Sequence, residues 1–262
     1  MSFNKTMPEL MKWMPAKPTF FDAEVLWAYW ETEPEIIQKL LPPVLEPLER
    51  PLACCFVARY PRVNFNPPYM ESALFLMCKY RDEPGVYCLS MPVSDDMAMV
   101  IGREASGYPK KIGDISILRE GDLVTGSTTR RGVTFMEVEA RLTGNGNVED
   151  FPAFVDQYVK LKTPVYLIKN FPTPDGGPRE PHFHIVKQMI KTKRKSMELG
   201  EVILRFTPND LDPWAEVNIV KPLGAAYMVY DLEMMPAHVF EEISFNAGFP
   251  FLMYDFFDIS KF

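Results

Sequence analysis

Twenty-five prolines in a chain of 262 residues set the first limit on its fold. That is about twice the ordinary frequency of ~5%, and proline interrupts helices and central strands alike. A chain so punctuated favours many short elements over long helices. The segments between the prolines read mostly as strands. Residues 52–60, Leu-Ala-Cys-Cys-Phe-Val-Ala-Arg-Tyr, are a near-continuous apolar run. Thr134 to Leu142 alternates, with Met136, Val138, Ala140 and Leu142 on one side and Glu137, Glu139 and Arg141 on the other. Residues 24–31 read as an aromatic-rich first strand, and residues 73–80 and 85–91 as a hairpin about Asp82-Glu83-Pro84-Gly85. Residues 113–142 hold further strands, with a hairpin at Arg130-Arg131-Gly132. Val186–Ile190, Glu198–Phe206, Glu216–Val220 and Ala225–Leu232 extend the series.

Helices are few. Pro34 suits the first position of a short one whose apolar face is Ile36, Ile37, Leu40 and Leu41, stopped by Pro42-Pro43. Another is expected over about 149–161, from Asp150. Residues 1–20, broken by Pro8, Pro15 and Pro18, read as an extended arm, and the apolar segment from Ile243 to Phe257 as a piece that packs on the body or on another subunit. No repeat or linker divides the chain, so one mainly β domain over 1–262 with peripheral α elements is expected.

A net charge of −7 argues against a nucleic-acid partner. The basic run Lys191 to Lys195 reads as a solvated face or loop. No run approaches the ~18 apolar residues of a membrane helix, and the first residues lack the apolar core of a signal peptide. Cys54, Cys55, Cys78 and Cys88 sit in apolar runs without metal-ligand spacing, as buried free thiols of a reducing cytoplasm would. His182 and His184 fall on one strand face, but no nearby acid or cysteine completes a metal site.

Chemistry points to residues 102–111, Gly-Arg-Glu-Ala-Ser-Gly-Tyr-Pro-Lys-Lys. A helix capped by Asp95 leads into it, with Met97, Val100, Ile101 and Ala105 on one apolar stripe and Glu104 on the same inward side, expected to pair with Lys111 or an arginine. Gly107 suits the helix end, and Pro109 turns Tyr108 out of helical geometry. Gly102 inside the helix is unfavourable unless a neighbour packs closely there. Adjacent lysines are most often a solvated pair. The alternative is an imine-forming lysine, whose neutral amine attacks a carbonyl. A free lysine titrates near 10.4, and burial or a neighbouring cation lowers that, burial by up to ~3–5 pH units.

Gly102-Arg103-Glu104 followed by Gly107-Tyr108-Pro109-Lys110-Lys111 resembles the signature of the acetoacetate decarboxylase family, and Tyr166, Lys169, Pro172, Asp175, Gly176, Pro178 and Arg179 resemble its second conserved segment. The resemblance implies an antiparallel β-barrel or cone with peripheral helices, a homo-oligomer and no cofactor. It makes Lys110 the imine-forming residue, and Lys111 the neighbour proposed to tune it, although desolvation is an alternative cause. Glu71, read from its own surroundings as an exposed carboxylate in the proline-rich loop 61–72, matches the family's second active-site glutamate. Phe56 and Tyr108 are candidate substrate-binding residues. Two positions depart from the family pattern: Ala23 stands where an arginine is expected, and Phe56 where a glutamate is. The implied reaction is decarboxylation of a small β-keto acid through an imine. An aldolase-dehydratase on pyruvate-like substrates would use the same iminium. A non-catalytic binding protein with this fold would keep Lys110 exposed or ion-paired.

Overall fold

The computed structural model describes residues 3–13, 17–159, 164–171, 173–174 and 182–256. In chain order its strands begin with β1 (Thr19–Glu31), β2 (Glu46–Pro47), β3 (Leu52–Tyr60), β4 (Arg62–Val63), β5 (Tyr69–Tyr80) and β6 (Glu83–Val93). They continue with β7 (Lys110–Ile112), β8 (Asp114–Glu120), β9 (Leu123–Arg130), β10 (Val133–Arg141) and β11 (Pro164–Lys169). The last are β12 (His182–Phe206), β13 (Lys221–Met234) and β14 (His238–Ser244). Helices α1 (Met7–Trp13), α2 (Pro34–Leu40), α3 (Asp96–Ile101), α4 (Phe151–Tyr158) and α5 (Phe245–Phe256) lie between or beyond them.

Strands β11, β6, β5, β3, β1, β13 and β12 are hydrogen-bonded in that order, and β11 pairs again with β12, so the path closes into a ring. Strands β10, β9 and β8 continue from the C-terminal part of β12 as an outer layer. The sheet is mixed rather than wholly antiparallel, because β6 runs parallel to both β11 and β7.

This layering explains why β3 is apolar almost throughout. Cys54, Phe56 and Ala58 point into a core cluster that takes side chains from every strand of the ring. Ala53, Cys55 and Val57 point into a second cluster with Ile115, Val124, Met136 and Val138 of the outer layer. With both faces covered, alternation disappears. On β10 one face is wet, and the alternation read from the sequence holds: Met136, Val138 and Ala140 are buried while Glu137 and Arg141 are exposed. The hairpin ahead of it turns on Arg131 and Gly132, both at positive φ (50° and 80°), as a tight two-residue turn requires.

Several elements depart from the sequence reading. The N-terminal arm contains α1: the Thr6 amide and hydroxyl both donate to the Glu9 carboxylate, at 2.9 and 2.8 Å. Pro8 sits in the first turn, where no amide partner is needed. The first hairpin turns at Arg81, with φ 54°, instead of about Gly85. Gly85 lies within β6, where a Cβ would sit 2.5 Å from the Tyr166 ring. Residues Lys191 to Lys195 lie inside β12, which is one continuous strand. Within it Lys195 bridges Asp22 and Asp231 at 2.5 and 2.6 Å. In place of a strand from Glu216 there is a single turn, Trp214–Glu216, that buries Trp214 edge-on against Phe135 and Phe206.

A charged pair ties this outer region together. The Arg130 Nε donates to both oxygens of Asp212 at 3.0 Å, and Asp212 is 1% exposed. Asp212→Ala takes away both of these contacts to the buried guanidinium and should lower unfolding stability by about 3–5 kcal/mol, read as a lower urea midpoint with an unchanged slope.

Candidate functional site

The site is built by the segment from Asp95 to Ile112. Asp95 caps α3 by accepting the Ala98 amide at 2.8 Å. From Gly102 the helix widens into a π-turn, Gly102–Ser106, closed by Gly107 in the left-handed region at φ 86°. The Gly107 amide reaches the carbonyls of Gly102 and Arg103 at 3.1 and 3.0 Å. Such widened turns recur at functional sites. Lys169 secures the end, donating to the carbonyls of Glu104 and Ala105 at 2.6 and 3.0 Å. Partial burial lowers the pKa of its amine. Of the second conserved segment, Pro172, Asp175, Gly176, Pro178 and Arg179 lie outside the described residues.

The expected apolar stripe divides. Met97 and Val100 are 52% and 38% exposed, and Glu104 is exposed as well, while Ile101 and Ala105 reach the wall of the cavity described below. Beside them runs a row of small residues, Ala98, Gly102 and Ser106, spaced by four. Small residues are required because the Lys110 side chain lies against the helix. A Cβ on Gly102 would sit 2.6 Å from Lys110 Cε and 2.7 Å from Cδ. Hydrophobicity located only part of the inward face because contact distance as well as apolar character selects it.

Lys110 is held from three sides. Strand β7 places it opposite Met91 of β6, the Arg103 guanidinium donates to its carbonyl at 2.9 Å, and Gly102 packs its stem. Its Nζ donates to Glu71 Oε2 at 2.6 Å, and the two side chains are 8% and 7% exposed. Glu71 therefore lies on a buried strand, β5, and not in an exposed loop. Its other oxygen accepts from the Tyr60 hydroxyl at 3.3 Å. The rings of Tyr69 and Tyr108 each lie 5.8 Å from Nζ, within range of attraction to a cation. Burial, reinforced by the Glu71 charge, pushes the phenols of Tyr60 and Tyr69 well above their usual range, and burial does the same to Tyr108. All three stay protonated, so Tyr60 is a donor.

The pair opens onto a cavity of about 750 Å³ inside the ring, to which all the ring strands contribute. Glu71, Tyr108, Lys110 and Phe56 all line it, while Lys111 does not. Successive strand residues point to opposite faces, so Lys111, though buried, leaves the cavity to its neighbour. Ala23 is fully buried and also off the cavity wall. The sequence did not single out Tyr60, Tyr69 or Gln188, which joins the inner helix row by a 3.2 Å contact with Ser106. Tyr60 and Tyr69 reach Glu71 through the pairing of β3 with β5, and Gln188 arrives from the remote strand β12.

Residues 6–243 match the family model described as acetoacetate decarboxylase. The chain is 31% identical over 208 residues to acetoacetate decarboxylase 3 of Mesorhizobium japonicum, covering 79% of this chain and 76% of that protein. It is 25% identical over 232 residues to the CLA biosynthesis isomerase of Lactiplantibacillus plantarum, covering 83% and 81% respectively. The crystal structure of acetoacetate decarboxylase from Legionella pneumophila superposes with a TM-score of 0.79 at 22% identity, over 92% of this chain and 98% of that one. The chain belongs to the acetoacetate decarboxylase family.

The contact between Gly102 and Lys110 can be tested directly. Gly102→Ala should fold, since alanine is the better helix former by roughly 0.5–1 kcal/mol and only a flexible stem must move. Displacing the amine by about 1 Å should slow its reaction with carbonyls by roughly 10²-fold, measured by imine trapping on a protein with unchanged circular dichroism.

Proposed function

We propose that this member of the family is an imine-forming lyase that decarboxylates a β-keto acid, with Lys110 as nucleophile and Glu71 as its proton partner. The observation that carries the reading is the buried amine on the cavity wall with a carboxylate 2.6 Å away. Standing alone, that ion pair is also what a binding protein would show. What makes it useful for catalysis is the position of Glu71. It can take the ammonium proton as a carbonyl approaches, leaving a neutral amine that attacks carbon.

The steps then follow from the groups present. Addition gives a carbinolamine, and Glu71 returns the proton to its hydroxyl, which leaves as water. The resulting iminium draws electrons from the bond to a carboxylate β to it. Carbon dioxide departs, and an enamine remains. Glu71, reprotonated by a proton from solvent, then protonates the enamine carbon, and addition of water to the iminium releases the ketone and restores the pair. The apolar surroundings favour loss of the carboxylate charge. Tyr60 steadies Glu71 by donating to its second oxygen.

The absence of charge at Ala23 and Phe56 favours a second use of the same iminium, in which its enamine attacks an aldehyde, as an aldolase-dehydratase would. Exposed apolar Met97, Val100 and Ile101 support association into a homo-oligomer.

Borohydride added with acetoacetate should reduce an adduct onto Lys110, located by peptide mass spectrometry, with release of carbon dioxide in its absence. Trapping with pyruvate and no gas evolution selects the aldolase reading, and no adduct with any keto acid selects the binding protein. Glu71→Gln should lower turnover by roughly 10²–10⁴-fold and should also lower Tm, because the amide keeps an acceptor beside Nζ but removes the buried counter-charge of Lys110.

A further inference from the structure

Glu71, Lys110 and Tyr60 mark one polar end of the cavity, and Ser106, Gln188, Thr192 and Arg194 add polar groups along the helix and β12. Along β5, β3 and β6 the walls leading away from Glu71 are apolar. On β5 the cavity-facing residues after Glu71 are Phe75 and Met77. On β3, running the opposite way, Tyr60 gives way to Phe56 and then Cys54. Val86 of β6 and Val165 of β11 finish the far end, where they pair across the sheet. From Glu71 to Met77 the strand advances about 20 Å at ~3.3 Å per residue. Midway, the rings of Trp27, Phe56 and Phe75 stand together, with centroids 4.9 to 5.9 Å apart. Burial raises the thiol of Cys54 far above its usual range, so it is neutral and behaves as a small apolar wall.

A keto acid as small as acetoacetate meets only the polar end. It leaves the rest of this volume with nothing to bury. We propose that the substrate is a keto acid carrying a long, unbranched apolar chain, with its ketone at Lys110 and its chain laid along β5 toward Met77. The proposal rests on the imine reading for the position of the ketone. Phe56, which departs from the family's glutamate, is part of this wall: a carboxylate there would be desolvated by the chain.

The test uses the full chain and a series of β-keto acids of increasing alkyl length, with carbon dioxide release and borohydride trapping measured in parallel. Burial of each added methylene should raise kcat/KM about fourfold until the far end is reached. A flat or falling series with Lys110 still trapped overturns the chain proposal and leaves the imine intact. Loss of trapping throughout overturns the imine reading instead. The chain is then judged by β-hydroxy acids of the same lengths, which form no imine and should bind about fourfold tighter per methylene. Two variants move the limit in opposite directions. Met77→Trp should end the rise at a shorter chain, and Met77→Ala, at the same far end, should extend it to a longer one. If Met77→Trp fails to fold, Met77→Ala alone decides, and an unshifted limit counts against the proposal.

Discussion

Two opposite charges, on Lys110 and Glu71, are carried into an apolar ring. Neither could be there alone, since an unpaired ion in such surroundings is strongly unfavourable. Together they need a short contact, fixed orientation and further donors for the remaining lone pairs. The architecture supplies each of these. Strand β5 delivers the carboxylate from one wall and β7 delivers the amine from another. Tyr60 covers the second oxygen, and the Tyr69 and Tyr108 rings cover the ammonium. The narrowest requirement falls on the helix, which must come close enough to pack against the lysine stem. That requirement fixes the small row Ala98, Gly102 and Ser106 and makes the π-turn comprehensible, because a wider turn lets the chain leave the helix in time to place Tyr108 and Pro109.

Much of the sheet was legible in the sequence where one face is wet. The alternation of β10 and the hairpin at Arg131-Gly132 follow from local patterns alone. Strand β3 was legible as a strand but not in its placement, because burial on both faces erases the period. The long strand β12 was read as two strands, since its middle is basic. Lys195 there is held by Asp22 and Asp231, which lie far away in the chain and are invisible to any local window. The helix before Lys110 was only partly legible for a different reason: Met97 and Val100 are exposed although apolar, while Ile101 and Ala105 share the inward side with a row chosen by size.

The candidate site shows the same division. Lys110, Glu71, Phe56 and Tyr108 meet at one cavity, and the residue spacing around Gly107 and Pro109 was enough to mark the lysine. The exposure of Glu71 could not be read from the proline-rich segment before it, because the strand begins at Tyr69, only two positions earlier. Lys111 was set beside Lys110 by adjacency in sequence, yet strand geometry separates neighbours to opposite faces. Adjacency along a strand and proximity in space are therefore different claims, and only the second bears on how an amine is tuned.

Closure of the ring has a kinetic side. Its seams join parts of the chain that are remote in sequence: Phe20 lies opposite Leu232, and Val165 opposite Val86. Contacts of such long range form slowly, because the intervening chain must first be confined. Until both seams are made, the cavity lacks its β11–β13 wall, and Glu71 and Lys110, though set on either side of β6 by local pairing, stay open to water. Burial of this amine is thus a property acquired in the last stage of assembly, and a nascent chain still lacking β12 and β13 carries it exposed.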